Sequence, residues 1–190
     1  TFQAFGLDTY RKKFPGLGEY YHSGRETGKQ KSPSEYAQDL VEFMNDLHEQ
    51  YENRIFYIFL DPSAKGLAEE VRRATRTGLG YQVLLRDAEN DVALGISREQ
   101  KTLVFDIMSI SPKQEYAVQE FGTYEYDKKS IEKGKEVPVK ESDHCMDAIR
   151  YVVMGAWSKI KHWLPLDTVG DDVSVGDISS KEVREEDEYL

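Results

Sequence analysis

The sequence predicts an α/β domain in which a mixed sheet is flanked by helices, with an antiparallel strand pair at its N-terminal end. Three observations predict it. Short β-branched and aromatic runs alternate with segments whose apolar residues recur at helical spacing. The first two extended runs are joined by polar turn material, as in an antiparallel pair. The run Ile55-Phe56-Tyr57-Ile58-Phe59-Leu60 is continuously apolar, as a strand buried on both faces would be.

In chain order, residues 1–7 read as a strand, residues 8–16 with Pro15-Gly16 as a turn, and residues 17–23 as the second strand. Residues 24–32 read as a polar loop carrying Arg25, Lys29 and Lys31, either a solvated connection or a phosphate contact, and Ser32-Pro33-Ser34 is a helix-start signal. Tyr36, Leu40, Phe43, Met44 and Leu47 then mark an amphipathic helix over residues 35–51. After the strand at 55–60 comes Asp61-Pro62-Ser63-Ala64, then a helix over 65–76 with Leu67 and Val71 inward and Arg72, Arg73 and Arg76 outward. Further on, residues 81–85 read as a strand, 90–98 as a helix, 102–107 as a strand, and 112–119 as a helix that buries Tyr116 and Phe121. Residues 124–127 suit a strand end. Residues 128–140, with Lys128, Lys129 and Lys140, lack periodicity and read as a surface loop.

Composition narrows the function. With 39% hydrophobic and 32% charged residues the chain reads as globular, and no apolar run approaches the roughly 18 residues a membrane span needs. Cys145 is the only cysteine, so no internal disulfide is expected, and its apolar surroundings suit a core thiol in a reducing compartment. The net charge of −10 is uneven: residues 165–190 hold nine acids against Lys181 and Arg184, a net −7, leaving about −3 for residues 1–164. The domain is therefore placed at residues 1–164 and a flexible acidic tail at 165–190. Neither GxxxxGK[ST], GxGxxG nor zinc-ligand spacing occurs, so nothing supports nucleotide cradling or structural zinc.

The chemistry concentrates on the last helix, residues 142–164. Cys145, Met146, Ile149, Val152, Val153, Ala156 and Ile160 share one arc at 100° per residue, and Asp143, His144, Asp147 and Tyr151 fall outside it. Ser142 is a suitable N-cap and Asp143 suits the helix dipole. Asp147 gains less from the dipole, and its i, i+3 relation to His144 suits a hard-metal or acid/base site. Asp61 ends a central strand, where open α/β sheets place ligands, although Asp-Pro also reads as a turn or cap.

Several segments together resemble the C-terminal nuclease domain of the large terminase subunit of tailed bacteriophages. They are Tyr20-Tyr21-His22-Ser23-Gly24-Arg25-Glu26-Thr27-Gly28-Lys29-Gln30-Lys31, Asp61-Pro62-Ser63-Ala64, Asn90-Asp91-Val92 with Gly95-Ile96, and residues 138–151 around Ser142-Asp143-His144-Cys145-Met146-Asp147-Ala148-Ile149-Arg150-Tyr151. The resemblance implies a ribonuclease H-like fold and a DNA endonuclease that cuts concatemeric viral DNA. It implies two divalent ions, Mg²⁺ or Mn²⁺, about 4 Å apart, activating water and stabilising the leaving oxygen. Asp61 and Asp147 match the family's second and third acids, and Asp143 and His144 match flanking metal or water positions. The family's first acid falls upstream of Thr1, so the first strand is expected to be truncated here.

Partners implied by the resemblance are double-stranded DNA, the terminase ATPase domain, the portal and the small terminase subunit. The setting implied is the cytoplasm of an infected bacterial host, with the isolated domain a monomer. Phosphate contacts would come from Arg25, Lys29 and Lys31, from Arg72 and Arg73, and from Lys128, Lys129 and Lys140. The alternatives are a non-catalytic docking module for the ATPase half or portal, and another ribonuclease H-like nuclease such as a junction resolvase.

Overall fold

The computed structural model describes residues 1–76, 78–127, 138–139 and 143–169. Its first sheet is mixed. β1 (Phe2–Phe5) runs antiparallel to β2 (Phe14–Tyr20), with Phe2 opposite Tyr20. β3 (Ile55–Leu60) and β4 (Gln82–Asp87) form a parallel pair in register from Ile55 opposite Gln82 to Leu60 opposite Asp87. A two-residue β5 (Met108–Ser109) lies parallel to β2 and completes the first sheet. The expected mixed α/β architecture with its antiparallel N-terminal pair is thus present.

The helices are α1 (Gly24–Thr27), α2 (Pro33–Tyr51), α3 (Lys65–Ala74), α4 (Val92–Val104), α5 (Glu115–Thr123) and α6 (His144–Ile160), followed by a 3₁₀ turn (Lys161–Trp163) and α7 (Leu166–Val169). Two clusters of buried side chains hold them together. Ala37, Leu40 and Met44 of α2 and Val71 of α3 pack with Tyr81 over the β3–β4 pair. Cys145, Met146, Ile149, Val153 and Trp157 of α6 pack with Phe14, Met108 and Ala117. The apolar arc read from the last helix is therefore its buried face. Burial pushes the Cys145 thiol up to about 12, which makes it a core group rather than a nucleophile.

Several expectations are corrected. The strand expected at 102–107 is instead the end of α4 at Val104 and the turn after it: Thr102 is fully buried, donates to the Glu99 carbonyl at 2.8 Å, and follows Gly95 and Glu99 on one helical face. The buried Glu99 interrupts the apolar pattern that would have announced this. β2 starts at Phe14 rather than residue 17 and runs through Pro15-Gly16. Gly16 is needed there, because a Cβ would fall 1.7 Å from the Gln114 side chain, which also accepts from Ser111 N at 2.9 Å and donates to Gln3 at 2.9 Å. The polar loop at 24–32 contains the single turn α1, capped by Ser23. Tyr116 is 38% exposed rather than buried, stacking on Tyr21 at 3.8 Å between ring centres, and Phe121 is only partly covered.

The strand β3 also differs in detail. Instead of being buried on both faces, it leaves Ile55 and Tyr57 exposed. Phe56 and Ile58 pack on the α2–α3 cluster, whereas α6 covers the opposite face only near the C-terminal end of the strand. There Gly155 meets Phe59 so closely that a Cβ would lie 2.2 Å from the ring. The close approach is what brings the polar face of α6 to the end of β3. Among the described residues no helix is long and apolar enough to cross a membrane.

Candidate active site at the strand ends

Because β3 and β4 are parallel, their C-terminal ends open onto the same edge, where Asp61 follows Leu60 and residues 88–91 follow Asp87. Asp61 stands at the strand end and also makes a turn. Its carboxylate accepts from Ser63 N at 2.7 Å and its carbonyl from Ala64 N at 2.9 Å, the bonds of a turn. The other carboxylate oxygen accepts from the Tyr151 hydroxyl of α6 at 2.8 Å. Hydrogen bonds from the Ser63 side chain and backbone, then from Tyr151, hold Asp61 below the usual carboxylate range, so it is ionised at neutral pH. Burial and the neighbouring Asp61 charge push the Tyr151 hydroxyl up to about 12, which keeps it a donor.

Asp147 stands one turn before Tyr151 on the same helix. Its side chain is 40% exposed and accepts from Arg150 at 2.5 Å. Arg150 donates its other terminal nitrogen to Asn90 at 3.0 Å, and Asn90 lies 3.5 Å from the Tyr151 hydroxyl. Asp61, Tyr151, Asn90, Arg150 and Asp147 therefore form one connected polar network joining the β3 end, the β4–α4 connection and α6. Arg150 is only 2% exposed. Burial opposes its charge, and the bond to Asp147 more than offsets this, raising its pKa.

The other predicted residues are distributed around this network. Asp143 sits at the N-cap position of α6 without capping it, and the expected cap Ser142 lies outside the described residues. His144 is 74% exposed and pairs loosely with Asp143 at 3.9 Å, and neither side chain is hydrogen-bonded into the Asp61–Asp147 network. On α1, Arg25 is exposed on a cleft of about 420 Å³ lined with Gly24, Gly28, Gln30 and Tyr36. A Cβ on Gly66, in the first turn of α3, would lie 3.9 Å from the Pro33 ring, so the start of α2 borders the start of α3. Lys29 pairs with Glu35 at 3.1 Å. Lys31 is engaged by Asp39 at 2.6 Å and by Tyr20 at 3.0 Å, and the Asp39 bond raises its pKa. Arg72 is exposed on α3, and Arg73 pairs with Glu70 at 3.2 Å. Lys128, Lys129 and Lys140 lie outside the described residues, as do residues 170–190 of the acidic tail.

The donor set suits a hard divalent ion in kind: Asp61 and Asp147 are carboxylates on two different elements, and each keeps oxygen lone pairs free beyond its protein bonds. Asp143 supplies a third carboxylate nearby in sequence. Among the described residues, however, no group of three or more His, Cys, Asp or Glu converges on one point.

Sequence reasoning missed the residues between the two acids. Asn90, Gly95, Arg150 and Tyr151 belong to the segments that carry the resemblance, which is the signal that could have found them. Asn90 accepts from Arg150, Asp91 caps α4 by accepting from Leu94 N at 3.0 Å, and Gly95 leaves space for the Arg150 stem.

No family model and no curated protein sequence matches the chain. Among solved structures, the large terminase of a thermophilic bacteriophage in complex with ADP is 30% identical with a TM-score of 0.66, over 78% of this chain and 34% of that one. The same terminase in complex with ATP-gamma-S is 29% identical with a TM-score of 0.67, over 80% of this chain and 35% of that one. Another crystal form of it is 30% identical with a TM-score of 0.67, over 80% and 34%. The chain thus spans about a third of the length of these relatives. Its mixed sheet and flanking helices are those of the ribonuclease H-like fold. With that likeness extending over about four fifths of its length, the chain is similar to one domain of the phage terminase large subunit.

Proposed function

We propose that this chain is the nuclease part of a terminase large subunit, a divalent-metal-dependent endodeoxyribonuclease that cuts concatemeric viral DNA by phosphodiester hydrolysis. The observation that supports it is the joining of Asp61 and Asp147, from separate elements, through Tyr151, Asn90 and Arg150 at one sheet edge. Mg²⁺ or Mn²⁺ would be held by Asp61 and Asp147, with Asp143 and His144 beside them, and would supply Lewis-acid activation of water and of the scissile phosphate. The chain's own part is to keep Asp61 ionised through Ser63 and Tyr151 and to hold Asp147 at the edge through Arg150. Arg25, Lys29, Arg72 and Arg73 supply phosphate contacts, which fit a nuclease with little sequence preference. Two of the related terminase structures carry adenine nucleotides, but the 190 residues here contain no phosphate-cradling lysine loop, and ATP hydrolysis is not proposed for them.

Nicking of supercoiled plasmid in Mn²⁺ and in Mg²⁺ tests the reading. Carried with the strand that the resemblance places upstream of Thr1, the chain should nick, and Asp61→Asn and Asp147→Asn should each lower the rate by roughly 10²-fold or more. Full activity in either variant would refute the metal assignment. The lack of a three-donor cluster among the described residues favours a second reading, a non-catalytic docking module for the ATPase half or the portal. Inactivity of that longer, otherwise unmodified chain with both ions would support that reading.

A further inference from the structure

We infer that Glu99 is a second anionic anchor for Arg150, and that passage of the guanidinium from Asp147 to Glu99 is what frees the Asp147 carboxylate. The Arg150 stem crosses α4 at Gly95, where a Cβ would fall 2.4 Å from its Cγ. Glu99 stands four residues further along α4, one turn away on the same face. Both side chains are buried, and each has an atom with no hydrogen-bond partner among the described residues: Arg150 Nε and Glu99 Oε1. A buried N–H and a buried carboxyl oxygen left unpaired are each unfavourable, and each is the partner the other needs. A cavity of about 160 Å³ bordered by Glu99, Leu103, Phe121, Tyr124 and Met146 gives the Glu99 side chain room to change rotamer. Burial pushes the Glu99 carboxyl up to about 8, and the Arg150 charge acts in the opposite direction, so the two groups already sense each other.

Arg150 is in this account a positioning residue with two resting places. Bound to Asp147 it keeps that carboxylate paired and in place. Bound to Glu99 it leaves Asp147 open to another cation. Only this last consequence rests on the nuclease reading, because the exchange itself needs no metal.

A double-mutant cycle on the full chain, in metal-free buffer at about pH 9.5, well above the value of about 8 to which burial pushes Glu99, tests the exchange. Asp147→Asn and Glu99→Gln should each be tolerated, since the remaining acid takes the guanidinium. Together they leave a buried cation without an anion. The unfolding equilibrium constant of the double variant should then exceed the product of the single effects by roughly tenfold or more. Agreement with that product within about twofold would overturn the inference. The Arg150 Nε–Hε resonance in ¹⁵N spectra should move downfield in Asp147→Asn as it gains a carboxylate, and an unmoved resonance would also overturn it. Where the double variant does not fold, adding Arg150→Met should restore folding if the unpaired charge is the cause, and failure of that rescue counts against the inference. A coupled cycle beside an inactive chain leaves the exchange standing and removes the nuclease reading. Nicking beside an additive cycle does the reverse.

Discussion

At the start of α2, Ser32 accepts from Glu35 N at 3.3 Å, Glu35 accepts from Ser32 N at 2.8 Å, and Pro33 fills the first helical position. At the start of α6 the acceptor comes from another helix: Glu120 of α5 takes Cys145 N at 2.7 Å and Met146 N at 3.2 Å, while Asp143 makes no side-chain cap. The α5 start is in turn held by Glu19 of β2, which accepts from Tyr116 N at 2.6 Å and Ala117 N at 3.2 Å. One helix start is thus closed within four residues. The other, which carries Asp147 two positions on from Cys145, is closed by a chain of carboxylates reaching back to the N-terminal sheet. The candidate site is therefore anchored by the tertiary fold at the point where a local cap would have sufficed for stability alone.

The sharpest way to break this contrast is Glu120→Ala. It leaves two buried N–H groups at the positive end of α6 without an acceptor, and should lower stability by about 3 kcal/mol in urea unfolding. A loss below about 1 kcal/mol would mean that water replaces the carboxylate and that the remote cap matters little. Ser32→Ala should cost less, about 1 kcal/mol, with faster amide exchange confined to the first turn of α2. Exchange spreading into α6 would contradict the local character of that cap.

The smallest effect is acid-dependent. Glu35 is held down to about 2, first by the Ser32 backbone bond and then by Lys29. Its folded value lies below that of the unfolded chain, so its contribution is fully present above about pH 4.3 and is lost as pH falls toward the folded value. Glu35→Gln should flatten the stability profile in that window alone. A profile unchanged from the parent would show that the capping box exerts no electrostatic hold.

How much is legible in the sequence follows the same division. Helix α2 and its start are legible because the cap, the proline and the apolar spacing are adjacent in sequence. Residues 102–107 read as a strand because Thr102, Leu103, Val104 and Phe105 form a β-favouring run, while the buried Glu99 disguises the helical face that continues through them. Asp61 and Asp147 are legible through the segments that resemble a terminase. Glu99 and Glu120, outside those segments, are not, because a charged residue read alone defaults to the solvent face and only a partner from another element reverses that.

The sequence by itself determined the alternation of strands and helices, the apolar face of the last helix, the cap of α2 and the pair of acids worth watching, since each depends on periodicity or on contacts within a few residues. The tertiary structure decided what holds Asp147 and Asp61 together. Asn90, Tyr151 and Arg150 are brought to one edge by the parallel register of β3 and β4 and by the close approach of Gly155 to Phe59. A buried polar network is fixed by which partners packing brings within hydrogen-bond reach, and that distance is a property of the folded chain.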